Sequence, residues 1–261
     1  MDGTLNAAAS AMRAMELKLN NTAHNLANVS TTAFKRQRVE FQDIAYQLMR
    51  AVTLPSVDNV QVPTGVQLGQ GVRTAGTLRE FTTGDLRQTG RDLDVAIEGR
   101  GFFQVVQPNG AYSYTRDGAF KVDGRGRLVN TDGLTVDPQI TLPRDYTHLA
   151  IGRDGTITAQ MPGQQQPAQV GQLTLVQFVN PEGLEPTGRN LYNISASSGD
   201  PVYYQPGQNN AGVISQGFLE QSNVRAVDEM IDMITTQRAY EMATRSIQAA
   251  DQMLGATANL R

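Results

Sequence analysis

Cysteine and tryptophan are absent from this chain of 261 residues, and aromatic residues of all kinds make up only 6% of it. Without cysteine there is no disulfide scaffold, no thiol nucleophile and no cysteine-based zinc site. The shortage of rings argues against a pocket walled by aromatic side chains. Charge is sparse and nearly balanced, at 18% of residues with a formal net charge of -3, so no nucleic-acid partner is expected. No window carries the unbroken apolar run of a membrane-spanning helix. The first residues are acidic and small with spaced apolar positions, so no cleavable Sec signal peptide is expected. Histidine occurs only at His24 and His148, neither with an acidic or histidine neighbour at metal-ligand spacing. There is no Gly-x-Ser-x-Gly elbow. Glu98-Gly99-Arg100-Gly101 lacks a Gly-Lys-Ser/Thr ending and leads into a strand pattern, so it reads as a close approach between strands. No catalytic residue, metal or cofactor is expected, and the chain does not read as an enzyme.

The two ends carry the strongest pattern. Over residues 1–29, Leu5, Ala8, Met12, Met15, Leu19, Leu26 and Val29 step by three and four, with Thr22 at one polar slot. That is the a/d spacing of a coiled-coil seam, and so narrow a stripe needs a partner helix. Over residues 223–260, Val224, Val227, Ile231 and Ile234 form one such series, and Tyr240, Ala243, Ile247, Ala250 and Leu254 a second. The two series are out of phase, with a break expected near 237–239 that alters supercoiling without ending the helix. Ser222 or Asn223 is expected to cap this helix, Asp228 and Glu229 suit its first turns, and Gly255 is a candidate stop.

Between the ends the pattern changes to short runs rich in β-branched and aromatic residues, at 93–97, 102–106, 128–129 and 173–179. Asn109-Gly110, Asp117-Gly118, Asp123-Gly124, Asp132-Gly133 and Asp154-Gly155 separate them, and such pairs favour tight hairpins. Residues 51–64 lack any period and read as an extended excursion or long hairpin. The run Lys35-Arg36-Gln37-Arg38 reads as a solvated face or as ion pairs with a neighbouring subunit. The fold class expected is α+β: N- and C-terminal helices paired as a coiled coil, with an inserted antiparallel β-rich domain. The expected division is a terminal-helix core of residues 1–30 and 222–261, a linker with a long hairpin over 31–70, and a β-rich outer domain over 71–221.

Several blocks then line up in one order. Asn25-Leu26-Ala27-Asn28-Val29-Ser30-Thr31 followed by Phe34-Lys35-Arg36 resembles the N-terminal signature of flagellar basal-body rod and hook proteins. Asp94-Val95-Ala96-Ile97-Glu98-Gly99-Arg100-Gly101-Phe102-Phe103 and Tyr114-Thr115-Arg116-Asp117-Gly118-Ala119-Phe120 are similar to that family's central motifs. Phe178-Val179-Asn180-Pro181-Glu182-Gly183-Leu184 and Gly188-Arg189-Asn190-Leu191-Tyr192 match a later block. Ser222-Asn223-Val224, Glu229-Met230-Ile231 and Gln237-Arg238-Ala239-Tyr240-Glu241 resemble the C-terminal signature. The chain departs from the pattern at His24, where Asn is common, and at Ala33, where Gly is usual. The alanine suggests that position 33 does not need a positive φ.

Within the family, length and Val62-Pro63-Thr64-Gly65-Val66-Gln67-Leu68-Gly69 are most like the distal-rod members, with a proximal rod protein of similar size as the rival. The resemblance implies export through the flagellum's own apparatus and assembly into a helical homopolymer spanning the periplasm. The two terminal seams would then be self-assembly surfaces. It also implies a stiff drive shaft carrying torque from motor to hook, with proximal rod proteins, hook protein and the peptidoglycan- and outer-membrane-associated ring proteins as partners. Residues 46–64 are expected to reach between subunits and restrain bending, and the termini to be disordered until assembly. Two readings from other classes stand beside this one. A peptidoglycan-acting or carbohydrate-binding module would need paired carboxylates in a cleft, and a soluble adaptor or chaperone would not form filaments.

Overall fold

A computed structural model describes residues 2–50, 66–163 and 166–258. Among these residues the chain begins with α1 (Asp2–Ala27) and ends with α2 (Ala226–Ala258). Between them come β1 (Gln37–Asp43), β2 (Gln47–Arg50), β3 (Val66–Leu68), β4 (Val72–Arg79), β5 (Leu86–Gln88), β6 (Val95–Glu98), β7 (Phe103–Val106), β8 (Tyr112–Thr115) and further short strands. The fold is α+β, with a helix at each end and a β-rich middle. The chain divides into two compact units. One gathers the described residues of Met1–Ala27, Gln37–Arg79 and Arg225–Arg261, and the other Asn28–Arg36 and Glu80–Val224. The boundary expected at 70/71 comes before β4, which pairs with β1 and so counts with the helices.

In the helical unit α1 and α2 lie antiparallel. Asn25 meets Glu229, Lys18 meets Asp232 at 4.0 Å, and Met12 meets Thr244. Alanine at positions 7, 8, 9, 11 and 14, and no proline, suit α1 to its conformation. α2 is one continuous helix through 237–239, where the apolar series change phase, and it runs on through Gly255, so the expected stop does not occur. The phase change places the two apolar series on different faces of that helix. α1 also packs on a long hairpin. β1 pairs with β4 from Gln37↔Arg79 to Asp43↔Val72, with a bulge between Glu40 and Phe41, and β2 pairs with β3. Ser10 Oγ accepts the Val72 N–H at 3.2 Å, and Asn21 Nδ2 donates to the Gln37 carbonyl at 2.6 Å. The excursion expected at 51–64 lies outside the described residues, as does most of the segment 46–64 expected to reach between subunits.

The β-rich unit is built on a seven-stranded antiparallel sheet. Its order is Glu185–Gly188, Leu191–Asn193, β8, β7, Thr135–Asp137, Leu128–Val129, Lys121–Val122. Val95, Ile97, Phe103, Val105, Phe120 and Leu128 lie in the main core of this unit, with strand alternation selecting Val95 and Ile97 on β6 and Phe103 and Val105 on β7. Phe102, Tyr114, Phe178 and Tyr192 form a second cluster with Phe81, its rings meeting edge to face at 4.8–6.1 Å. Four of the five Asn-Gly and Asp-Gly pairs stand at hairpin turns between paired strands. Asp117-Gly118 does not, since the strands either side of it are not partners. Gly118 has a different role: a Cβ there would lie 1.7 Å from the Val95 carbonyl oxygen, so only glycine lets the two backbones approach.

Candidate assembly site and a buried ionic clasp

The first turns of α2 present apolar residues on one side and polar ones on the other. Val227 is 68% exposed, Met230 50%, Ile231 55% and Ile234 51%. Spaced at i, i+3, i+4 and i+7, they form one outward stripe. On the opposite side Glu229 and Thr236 are buried, with Glu229 accepting a hydrogen bond from Asn25 Nδ2 at 3.2 Å. Farther along the helix the apolar residues turn inward, with Ala250 buried and Ala243 and Ile247 half-buried, while Tyr240 is 42% exposed. Val224 precedes α2 and is buried in the β-rich unit. The side chain of Leu254 lies outside the described residues.

On α1 the residues expected in the seam, Leu5, Ala8, Met12, Met15, Leu19 and Leu26, are all half-buried, and Val29 lies beyond the helix end. The fully covered line is Ala14, Thr22 and Asn25, roughly a quarter-turn away. α1 therefore keeps part of its apolar stripe uncovered.

The signature residues separate into three groups. Asn25 is buried within the helical unit. Its Nδ2 donates to the Gln37 carbonyl at 2.8 Å as well as to Glu229, and its Oδ1 accepts the Gln37 N–H at 3.0 Å. One amide thus joins α1, the start of β1 and α2. Gln237, Arg238, Tyr240 and Glu241 lie exposed on α2. The remainder, Asn28, Phe34, Lys35, Gly99, Gly101, Phe102 and Phe103, belong to the β-rich unit. There Asn28 closes a turn, its Oδ1 accepting from the Thr31 hydroxyl at 3.1 Å, and Phe34 is buried. Phe103 packs against Phe120 at 5.1 Å.

Lys35 is not on a solvated face; its side chain is 0% exposed and its ion pair is made within the chain. Its Nζ donates to Glu220 Oε1 and to the Thr82 carbonyl, both at 2.6 Å. Glu220 Oε1 also accepts the Gly84 N–H at 2.9 Å, and Oε2 accepts Arg116 Nε at 2.8 Å. Arg116 then donates to the carbonyls of Gly101, Gly99 and Ile97 at 2.9, 3.0 and 3.2 Å. Two cations and one anion leave a surplus positive charge in the interior, and four inward-turned carbonyls offset it. This accounts for the signature glycines: φ is 113° at Gly99 and 139° at Gly101, which bends the strand so that three carbonyls reach one guanidinium. Burial pushes the Lys35 ammonium down to about 8; Arg116 adds to this and Glu220 opposes it. Burial works to raise the Glu220 carboxyl, but Arg116 and Lys35 outweigh it and hold it below the ordinary range.

Asn223 does not cap α2. Its Oδ1 accepts the Arg36 N–H at 2.7 Å, and its Nδ2 donates to the Glu80 carbonyl at 2.7 Å and to Thr82 Oγ1 at 2.9 Å. Of the basic run, Arg38 alone is more than half exposed, 3.1 Å from Glu40. Ala33, contrary to the sequence reading, has φ 56° and is buried. Its N–H donates to the Glu220 carbonyl at 2.8 Å, which fixes this left-handed conformation. Arg116 stands within the 114–120 block, but nothing in the local sequence marks Glu220, because its partners stand 104 and 185 residues away.

An open groove of about 610 Å³ beside the clasp has Phe81, Phe102 and Phe178 in its lining. Arg116 also borders it, with its nitrogens engaged as above. Both histidines are exposed. Among the described residues no group of three or more His, Cys, Asp or Glu is placed to hold a metal ion, and no helix is long and apolar enough to cross a membrane.

Comparison with known proteins adds two family matches. Residues 96–159 match the family described as flagellar hook protein FlgE/F/G D1 domain, and residues 215–260 match flagellar basal body rod FlgEFG protein C-terminal. The chain is 46% identical over 241 residues to the flagellar basal-body rod protein FlgG of Buchnera aphidicola subsp. Acyrthosiphon pisum, covering 92% of this chain and 93% of that protein. It is 43% identical over 258 residues to the protein of the same name from Caulobacter vibrioides, covering 98% of each. With that of Borreliella burgdorferi it shares 40% identity over 256 residues, 97% of each.

Proposed function

The chain belongs to the flagellar basal-body rod and hook family, and from that membership we propose that it is a structural subunit of the distal rod, polymerising into a helical tube that transmits torque. The observation that carries this reading is the outward stripe Val227, Met230, Ile231 and Ile234 on a helix whose opposite side is already engaged with α1. A soluble monomer gains nothing from four adjacent half-exposed apolar side chains. Burying a Val, Ile or Met side chain contributes about 1.5–3 kcal/mol, so covering the exposed half of each of the four supplies on the order of 3–6 kcal/mol per stripe. The half-covered seam of α1 is a second, different patch. Two unlike patches meeting on successive copies give a heterologous contact, and a heterologous contact that does not close gives a helical filament.

In this reading the terminal helices pair as a coiled coil extended across copies, with the Leu5–Leu26 seam of α1 and the Tyr240, Ile247 and Leu254 series of α2 as its apolar lines. The subunit leaves the cytoplasm through the flagellar export apparatus. It sits in the periplasm-spanning part of the basal body and contacts proximal rod proteins, hook protein and the surrounding rings. Its β-rich unit has a structural role, held by the Lys35–Glu220–Arg116 clasp rather than shaped around a substrate.

Sedimentation and negative-stain microscopy over a concentration series test the proposal. The chain forms tubes above a critical concentration, and Ile231→Asp with Ile234→Asp abolishes them while leaving the tyrosine near-UV signal of the β-rich unit intact. A parent chain that stays a single particle at all concentrations, or a doubly substituted chain that polymerises equally well, overturns it.

A further inference from the structure

Three of the exposed apolar residues on α2 are methionines: Met230 at 50%, Met242 at 62% and Met253 at 57% exposure. Met230 lies three residues after Val227 and four before Ile234, in the middle of the outward stripe. Met242 and Met253 are eleven residues apart and share an adjoining face. Met233 and Met12 differ from them. Both are half-buried, and the Met12 sulfur accepts the Thr244 hydroxyl at 3.7 Å across the helix pair.

We propose that Met230, Met242 and Met253 are sites of oxidation by peroxides in the unassembled subunit, and that the sulfoxide at Met230 blocks polymerisation. This rests on the reading of the α2 stripe as a contact between copies. The thioether sulfur attacks one oxygen of a hydroperoxide and the O–O bond breaks. With transfer of one proton the second oxygen leaves as water, or as an alcohol from an organic peroxide. Sulfur is oxidised by two electrons and the peroxide is reduced by two. The product replaces a soft apolar atom with a strong S=O dipole. Val227, Ile231 and Ile234 around it offer no side-chain donor, so burying that oxygen strips its water with no replacement from its own helix. Covered in the polymer, the same sulfur is out of reach. Oxidation thus acts on free subunits and spares assembled ones, and a thiol-dependent sulfoxide reductase reverses it.

The test uses the full chain and hydrogen peroxide, applied before or after polymerisation, with peptide mass spectrometry and sedimentation as readouts. Treated first, Met230, Met242 and Met253 gain oxygen ahead of Met233 and Met12, and the critical concentration rises about tenfold or more. Treated after assembly, Met230 stays unmodified. Measured against its own untreated critical concentration, Met230→Leu loses most of the peroxide effect, and replacing all three by Leu removes it. The proposal is overturned if the oxidised parent polymerises at the untreated concentration, or if the Met230→Leu chain is as sensitive as the parent. An untreated parent that never polymerises is a separate result, which defeats the assembly reading and this inference with it.

Discussion

Replacing Glu220 with glutamine changes the clasp by one charge and almost no volume. The carboxylate is surrounded by donors alone: Lys35 Nζ, the Gly84 N–H and Arg116 Nε. An amide turns an NH₂ toward at least one of them, and two buried cations lose their counter-ion. In the parent chain Lys35 keeps its proton to about 8 when folded and to 10.5 when unfolded, which already costs about 3 kcal/mol at neutral pH. Without Glu220 the folded lysine is pushed further down, and the cost at pH 7 rises toward the roughly 5 kcal/mol of deprotonating it, an increment of about 1–2. Removing the carboxylate also leaves the buried Arg116 guanidinium without its counter-ion, which adds about 2–3 kcal/mol. The expected loss for Glu220→Gln is therefore roughly 3–5 kcal/mol at pH 7.

Its pH dependence carries a signature. Between the folded and unfolded pKa of Lys35 the unfolded chain binds more protons, so stability rises with pH. The substituted protein climbs from pH 7 and the parent only from about 8, so the deficit shrinks by about 1 kcal/mol between pH 7 and 9. Urea unfolding followed by tyrosine near-UV dichroism reads this directly, since Tyr114 and Tyr192 are buried in the same unit. Adding Lys35→Met to Glu220→Gln should recover part of the loss, because it removes one stranded charge. A deficit below about 1 kcal/mol at pH 7, or one unchanged at pH 9, refutes the clasp as the element that holds this unit together.

Three further substitutions probe other joints. Asn25→Ala removes hydrogen bonds to Gln37 and Glu229 and should lower the stability of the helical unit by about 2 kcal/mol in far-UV dichroism; Asn25→Asp should be worse, by placing a second carboxylate beside Glu229. Ala33→Gly relieves the positive φ but frees the unfolded chain, so it should lie within about 1 kcal/mol of the parent, whereas Ala33→Val should cost more than about 2. Gly118→Ala forces the Val95 carbonyl away and should reduce soluble yield and melting temperature sharply; a shift under about 2 °C would show that the backbone approach is not needed.

Features set by local pattern were legible before any coordinates. The Leu5 to Leu26 spacing located α1, the Asn-Gly and Asp-Gly pairs located four hairpins, and a helix at each end with an antiparallel middle followed. The change of phase in α2 was visible too, but what each face meets was not. Periodicity says that a stripe moves, and only the position of α1 tells which face it covers. Lys35 looked solvated because lysine beside two arginines is ordinarily so, and its counter-ion stands 185 residues away. Ala33 misled for a related reason. A residue type reports the conformation it prefers, whereas the hydrogen bond to Glu220 imposes the conformation it has. Asn223 has the residue type of a cap and the job of a cross-link, decided by the Arg36 and Glu80 backbone groups within its reach.

A cryo-microscopy reconstruction of the assembled tube tests the central claim most directly. The account predicts that Val227, Ile231 and Ile234 each lie within about 4 Å of apolar side chains from another copy. A tube in which these three face water, with contacts between copies made elsewhere, contradicts it.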